Sequence, residues 1–311
     1  MADALVSPAV GGTMWVASAA LIGVGAKKVR ESADDRTAPL MGVMGAFVLA
    51  AQMINFAIPG TGSSGHIAGG MLLAILLGPS AGFLTMASVL ILQAVVFADG
   101  GLLALGCNIF NLGAVPCFIA YPLVYKSISH GYPGSGRIAF GAIASSIVAL
   151  QLGALAVVLE TTLSGISSLP FSRFVLLMQP IHLAIGVVEG LATAGILMFV
   201  WQARPELLER AAPLRPTRRF SVKPLLISFA AAAIVTAGAL SWFASTRPDG
   251  LEWATLRAAR EEKVNAGEES GPWPAVDPAT TGSGLFGAAA IFLAATGIGL
   301  GLKRRGAKAR T

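Results

Sequence analysis

The chain has 311 residues, 55% hydrophobic and only 12% charged, where a soluble domain carries roughly 25% charged residues. With a mean hydropathy of +0.73, this composition excludes an ordinary soluble enzyme and specifies an all-α integral membrane protein. The net charge of +6 comes without a basic patch interleaved with aromatics, so it reads as Lys and Arg collected in cytoplasmic loops and not as a nucleic-acid surface.

Apolar stretches long enough to span run near 9–26, 39–59, 80–98, 106–126, 138–160, 174–201, 222–244 and 283–302. The run 66–78, "HIAGGMLLAILLG", is short and ends at Gly78-Pro79, so it reads as a short or tilted third helix beginning at His66. The expectation is nine membrane helices. Seven form a substrate-binding bundle, and two more are joined by an exterior segment.

Positive charge sets the direction. Lys27, Lys28, Arg30 and Arg36 follow helix one; Lys126 and Arg137 follow helix five. Arg204 to Lys223 precede helix eight, and Lys303 to Arg310 form the tail. Nine spans put 17 of the 22 basic residues on one side. The N-terminus is thus expected outside and the C-terminus in the cytoplasm of a multi-pass protein in the plasma or inner membrane. That places "MADALVSP" beside the exterior loop "PGTGSSGH". The start lacks the basic flank and cleavage signal of a secretory peptide.

Composition also divides the chain. Residues 1–203 are short-looped helices, 204–221 ("RPELLERAAPLRPTRRFS") a Pro/Arg-rich cytoplasmic linker, and 222–311 a two-helix unit with a polar exterior segment at 245–282. In that segment Pro-Asp-Gly signals a turn, and Leu-Glu-Trp-Ala can start a short helix. Its seven acids (Asp249, Glu252, Glu261, Glu262, Glu268, Glu269 and Asp277), without His or Cys, suit loading of a cation better than holding it.

Candidate chemistry is sparse. His66 follows a glycine-rich turn whose bland reading is a flexible exterior loop, and His130 reads as solvated in a cytoplasmic loop. His182 and Glu189 lie seven apart on one face of helix seven, either a structural pair or groups facing a cavity. Gln52 and Asn55 in helix two, Gln93 before "FADGG" with Asp99, and Asn108 and Asn111 in "GCNIFNLG" are polar for spans. They serve either as interhelical glue or as a scaffold around an exterior pocket. Cys107 and Cys117 share one apolar segment and form no disulfide framework. The loop "GYPGSGRI" has Arg137 and Ile138 where a nucleotide-binding loop needs Lys and Ser or Thr, so no ATP site and no enzyme activity are expected in this chain.

The segments "SPAVGGTMW", "PLMGVMGAFVLAAQMINF", "SGHIAGG", "LLGPSAGFLTMASVLILQAVVFADGGLLALGCNIFNLG" and "PIHLAIGVVEG" are ordered along residues 3–200. Together they resemble the CbiM/NikM family, the membrane substrate-binding components of energy-coupling-factor transporters for cobalt and nickel. "RPDGLEWA" resembles the small accessory component of the same systems, so the chain looks like a fusion of the two. The resemblance implies capture of Co2+ or Ni2+ as transported substrate. It also implies a membrane scaffold protein and cytoplasmic ATPase subunits as partners, within membrane lipid.

The family's site, as the resemblance implies, is near-square-planar. It uses the N-terminal amine, the backbone nitrogen and imidazole of a histidine at position two, and a histidine that matches His66. Met1, Ala2 and His66 are then the candidate ligands. Asn55, Ser64, Gly65, Asp99, Asn108, Asn111, His182 and Glu189 are candidates for supporting or release roles. The sequence departs from the family at Ala2, where histidine is usual. Either a ligand has been lost, or translation starts two codons upstream with Met-His and Met1 is internal; the intact remaining motifs favour the second. The competing functions are a metal-free structural or regulatory membrane subunit that kept the fold, and a stand-alone channel or carrier.

Overall fold

Helices dominate because a chain in lipid must satisfy its backbone groups internally. The computed structural model describes residues 1–32, 36–58, 61, 63–130, 134–167, 169–203, 223–239 and 247–265, with side chains as far as Ala258. Nine helices are found among them: α1 (Pro8–Ser32), α2 (Thr37–Gln52), α3 (Gly70–Leu77), α4 (Pro79–Val96), α5 (Leu105–Ile128), α6 (Ser135–Ser164), α7 (Phe171–Ala203), α8 (Lys223–Gly238) and α9 (Gly250–Asn265). Five of them, α1, α4, α5, α6 and α7, are long and apolar enough to cross a membrane. The linker 204–221 and the expected last helix 283–302 lie outside the described residues.

Two boundaries differ from the sequence reading. Helix two ends at Gln52, so Asn55 lies beyond it and in no span. The chain there turns into a two-residue antiparallel hairpin, β1 (Phe56–Ala57) on β2 (Ser64–Gly65), with Phe56 opposite Gly65 and Ala57 opposite Ser64. Ser64 and Gly65, at the end of the glycine-rich run, thus belong to a paired strand. Helix three begins at Gly70, not His66. Gly69 takes a left-handed backbone (φ +79°), which stops the helix four residues short of the histidine.

One large apolar core joins α2, α3, α4, α5 and parts of α6 and α7, around residues such as Met41, Leu49, Leu73, Phe83 and Tyr121. Pro116 and Pro122 remove two backbone donors within α5. Phe110–Tyr125 is correspondingly wound as a wider π-helix. The close approach of α3 is part of the same packing: a Cβ on Gly70 would fall 2.5 Å from Pro116 Cγ. The second unit joins this core in two places. α8 lies on α2, with Phe47 and Phe229 edge to face at 5.3 Å. α9 lies on α7, where Trp253 and Ala254 are buried among Ile58, Phe174, Met178, Ile181 and Ile185.

Candidate metal centre

Three separate segments are drawn to one cavity of about 120 Å³, lined among others by Met1, Gly65, His66, Asn108, Asn111, His182, Asp249, Gly250 and Leu251. The first is the N-terminus. Met1 O accepts hydrogen bonds from Gly101 N–H (3.1 Å) and Asn108 Nδ2 (3.3 Å). Asp3 Oδ1 accepts the Ala104 N–H at 2.9 Å, at the head of α5. Val6 is buried with Ala104 and Cys107. Asp3–Leu5 forms a single tight turn, and Ala2 O accepts the Leu5 N–H at 3.1 Å. The opening residues are therefore docked against α5, with Met1 on the cavity and Ala2 exposed beside it.

The second segment is the hairpin and its exit, residues 64–69. Gly65 packs so closely on α7 that a Cβ would sit 2.5 Å from Ile185 Cγ1. Beyond His66, Glu189 on α7 takes two backbone donors just ahead of α3. Its Oε2 accepts Ala68 N–H at 2.9 Å and its Oε1 accepts Gly69 N–H at 3.1 Å. Gln52 Nε2 donates to Ala68 O at 2.8 Å, and Gln93 Nε2 donates to Gln52 Oε1 at 2.9 Å. The peptide two residues after His66 is thus clamped from both sides by buried side chains. A carboxylate at a helix N-terminus is electrostatically favoured as well as hydrogen-bonded. His66 itself is half-buried, and its Nδ1 comes no nearer than 3.5 Å to Ile67 O, too long for a strong bond.

The third segment covers the cavity. Ser64 N–H donates to Pro248 O at 2.7 Å and Ser64 Oγ to Arg247 O at 2.7 Å, tying the hairpin to the Pro-Asp-Gly turn. Asp249 Oδ1 accepts the Glu252 N–H at 2.7 Å, an N-cap that starts α9. Burial pushes the Glu252 carboxyl above its ordinary range, and the neighbouring Asp249 adds to the effect. Gly250 has no room for a side chain: a Cβ would lie 2.8 Å from Ile181 Cγ2 and 3.3 Å from His182 Cε1.

His182 Nδ1 is hydrogen-bonded to Met178 O at 2.8 Å, which leaves Nε2 as the ring's other nitrogen. Asp249 and His66 line the same cavity.

Sequence matching of the chain to protein families gives two results. Residues 1–207, about two thirds of the chain, match the family described as the cobalt uptake substrate-specific transmembrane region. The chain belongs to this family. Residues 223–273 match the PDGLE domain. Among relatives of this cobalt-uptake family, a metal transport protein of Haloquadratum walsbyi is 38% identical over 66% of this chain and 91% of its own length. A fused nickel transport protein of Archaeoglobus fulgidus is 36% identical over 68% of each chain. A cobalt transport protein of Geobacter sulfurreducens is 30% identical over 72% of this chain and 68% of its own. A crystal structure of a transition metal transporter superposes with a TM-score of 0.57 at 28% identity, covering 70% of this chain and 99% of that one. The chain is thus a multi-pass membrane component of a metal-transport family with a PDGLE unit attached.

Of the sequence-derived residues, Met1, Gly65, His66, Asn108, Asn111 and His182 meet at the cavity. Asn55, Ser64, Asp99 and Glu189 do not line it, and Ala2 stands at its edge. His182 and Glu189 share a helix face but divide the work, one at the cavity and one at the α3 terminus. Sequence reasoning missed the direct approach of Asp249–Leu251 to the histidines. It also missed Glu160, a second buried acid, whose Oε2 accepts from Asn111 Nδ2 at 2.8 Å. A single acid inside a largely apolar 30-residue helix was the signal for it. Among the described residues, no group of three or more His, Cys, Asp or Glu side chains is placed to hold a metal ion.

Proposed function

We propose that this protein captures Co2+ or Ni2+ at the outer face of the membrane and passes it inward within an energy-coupling-factor transporter. The observation that carries this reading is a single cavity joining Met1, His66 and His182. Imidazole with terminal amine and backbone nitrogen is a donor set suited to planar Ni2+, and it can be imposed on Co2+. In this reading His66 is a direct ligand, and the Met1–Ala2 backbone supplies the remaining nitrogens. Asn108 holds Met1 in register. Glu189 and Gln52 hold the His66 loop, and His182 acts in packing or release.

The metal is cargo, and the energy comes from partner ATPases through a membrane scaffold protein. Residues 1–203 form the metal-binding core and 204–221 a cytoplasmic linker. Residues 222–311 form the accessory unit, with its segment 245–282 outside, on the side of the cavity. The acidic surface of 245–282 concentrates cations near the entrance and acts on loading.

The test is metal uptake by cells expressing the complete transporter, with His66→Ala in this chain. Uptake should fall to background while membrane insertion is unchanged; undiminished uptake would remove His66 from the site. Removing residues 204–311 should slow loading and spare the metal retained by the core.

Ala2, standing where the family resemblance implies a histidine, favours a second reading: a metal-free subunit that kept the fold. Metal analysis of the purified chain as it stands, with Met-His added before Met1, and with an N-terminal tag decides between them. One metal per chain in the extended form, little as it stands and none when tagged supports the terminal-amine site. Equal content in all three forms refutes it.

A further inference from the structure

The last turn of α4 stands between the two segments that carry the candidate ligands. Gln93, in that turn, is 5% exposed, and so is Gln52 at the end of α2. Gln93 Nε2 donates to Gln52 Oε1 at 2.9 Å, and Gln52 Nε2 donates to Ala68 O at 2.8 Å, with Met86 Sδ at 3.9 Å. The relay has a direction. Because Gln93 presents an N–H, Gln52 must turn its oxygen toward α4 and its NH2 toward the His66 loop. With its amide reversed, Gln52 would set an oxygen against Ala68 O, and two acceptors share no hydrogen bond. Ala68 is also fixed at its other end, where Glu189 Oε2 accepts its N–H at 2.9 Å. The backbone of Gln93 reaches the N-terminal segment. Gln93 O accepts the Asp99 N–H at 3.0 Å as well as the Phe97 N–H at 3.1 Å. The first of these bonds closes a turn through Ala98 (φ +52°), the one non-glycine residue with a positive φ among those described. Gly101, two residues after Asp99, donates its N–H to Met1 O at 3.1 Å.

We propose that Gln93 is a positioning residue of the metal site that acts through Gln52: its amide N–H orients the Gln52 amide, which sets the Ala68 carbonyl and with it the loop that carries His66. This rests on the metal-capture reading above. The donor comes from the same residue whose carbonyl anchors the turn that holds Met1, so α4 fixes the spacing of the two ligand-bearing segments. A planar donor set drawn from separate segments tolerates little error in that spacing.

The test is amide exchange and Ni2+ titration of the purified full chain in detergent, as it stands and with Met-His ahead of Met1, for Gln93→Met, Gln52→Met and the double variant. Methionine keeps the length of glutamine and removes the donor. In Gln93→Met, exchange over 64–69 should quicken while that over 79–92 stays as in the parent. Ni2+ affinity should fall about tenfold, the worth of one net hydrogen bond. In the Gln52→Met background Gln93→Met should add nothing, because it acts only through that amide. If Gln93→Met does not fold, Gln93→Asn, whose amide falls one methylene short of Gln52, must show the same losses. Unchanged exchange over 64–69, unchanged affinity, or effects of the two variants that simply add would overturn the proposal. A parent chain that takes up no Ni2+ in either form overturns the metal-capture reading instead, and exchange over 64–69, with its dependence on Gln52, then decides the role of Gln93.

Discussion

Glu189 gives the sharpest energetic test of the site. It is 2% exposed, and both carboxylate oxygens are engaged, one by Ala68 N–H and one by Gly69 N–H. Glu189→Ala leaves two buried backbone donors without partners. Each orphan costs about 1–3 kcal/mol, so the loss is roughly 2–6 kcal/mol. Glu189→Gln keeps one acceptor oxygen but turns an NH2 toward the other donor, and should cost about 1–3 kcal/mol. The strain falls on the peptide immediately after His66–Ile67, which Gln52 holds from the opposite side. If the loop relaxes, the loss is taken out of ligand positioning. Each 1.4 kcal/mol is tenfold in affinity, so Glu189→Gln should weaken metal binding by about 5- to 150-fold without abolishing it. The assay is thermal unfolding in detergent with and without Ni2+, run beside a Ni2+ titration. The metal-free protein should be destabilised, and the metal-induced stabilisation should shrink. A Glu189→Ala chain with unchanged melting temperature and unchanged affinity would refute the clamp. Affinity lost as completely as in His66→Ala would make Glu189 a ligand instead.

Gly65→Ala should cost about 1–3 kcal/mol by overpacking against Ile185, and should lower metal occupancy more than overall stability, as melting curves and metal analysis of one preparation would show. Trp253→Ala removes the main apolar anchor of α9 and should free this helix at a cost of about 3–5 kcal/mol in local docking, read as faster amide exchange over 247–258 with α6 and α7 unaffected. Asp3→Ala loses the bond to Ala104 N–H at the head of α5 and should cost about 0.5–2 kcal/mol, with a matching loss of metal because Met1 is held by the same segment. The Glu252 carboxyl is raised by burial and Asp249, so its charged form weakens the folded cover once the pH exceeds the ordinary carboxylate range. Glu252→Gln should therefore slow amide exchange over 247–258 at neutral pH and have no effect at pH values where the carboxyl is protonated in both states; a gain that persists in acid would contradict the assignment.

Much of this protein is written in its composition and periodicity. Apolar runs bounded by Gly, Pro and Lys/Arg clusters fixed α4, α5, α6 and α7 to within a few residues, because helices are the only economical way to carry a chain through lipid. The motif around His66 and the Pro-Asp-Gly turn were equally legible, since each needs particular residue types in a particular order. Where the runs stopped was decided elsewhere. Helix three starts at Gly70 because a carboxylate 120 residues away claims the donors at Ala68 and Gly69, and helix two ends at Gln52 because the next residues pair as a hairpin. The convergence of Met1, His66, His182 and Asp249 on one cavity, and the buried bond between Asn111 and Glu160, were likewise decided by contacts between distant segments. A sequence records which groups are available to bond; burial decides which of them must, and only the folded arrangement of helices determines what each one finds.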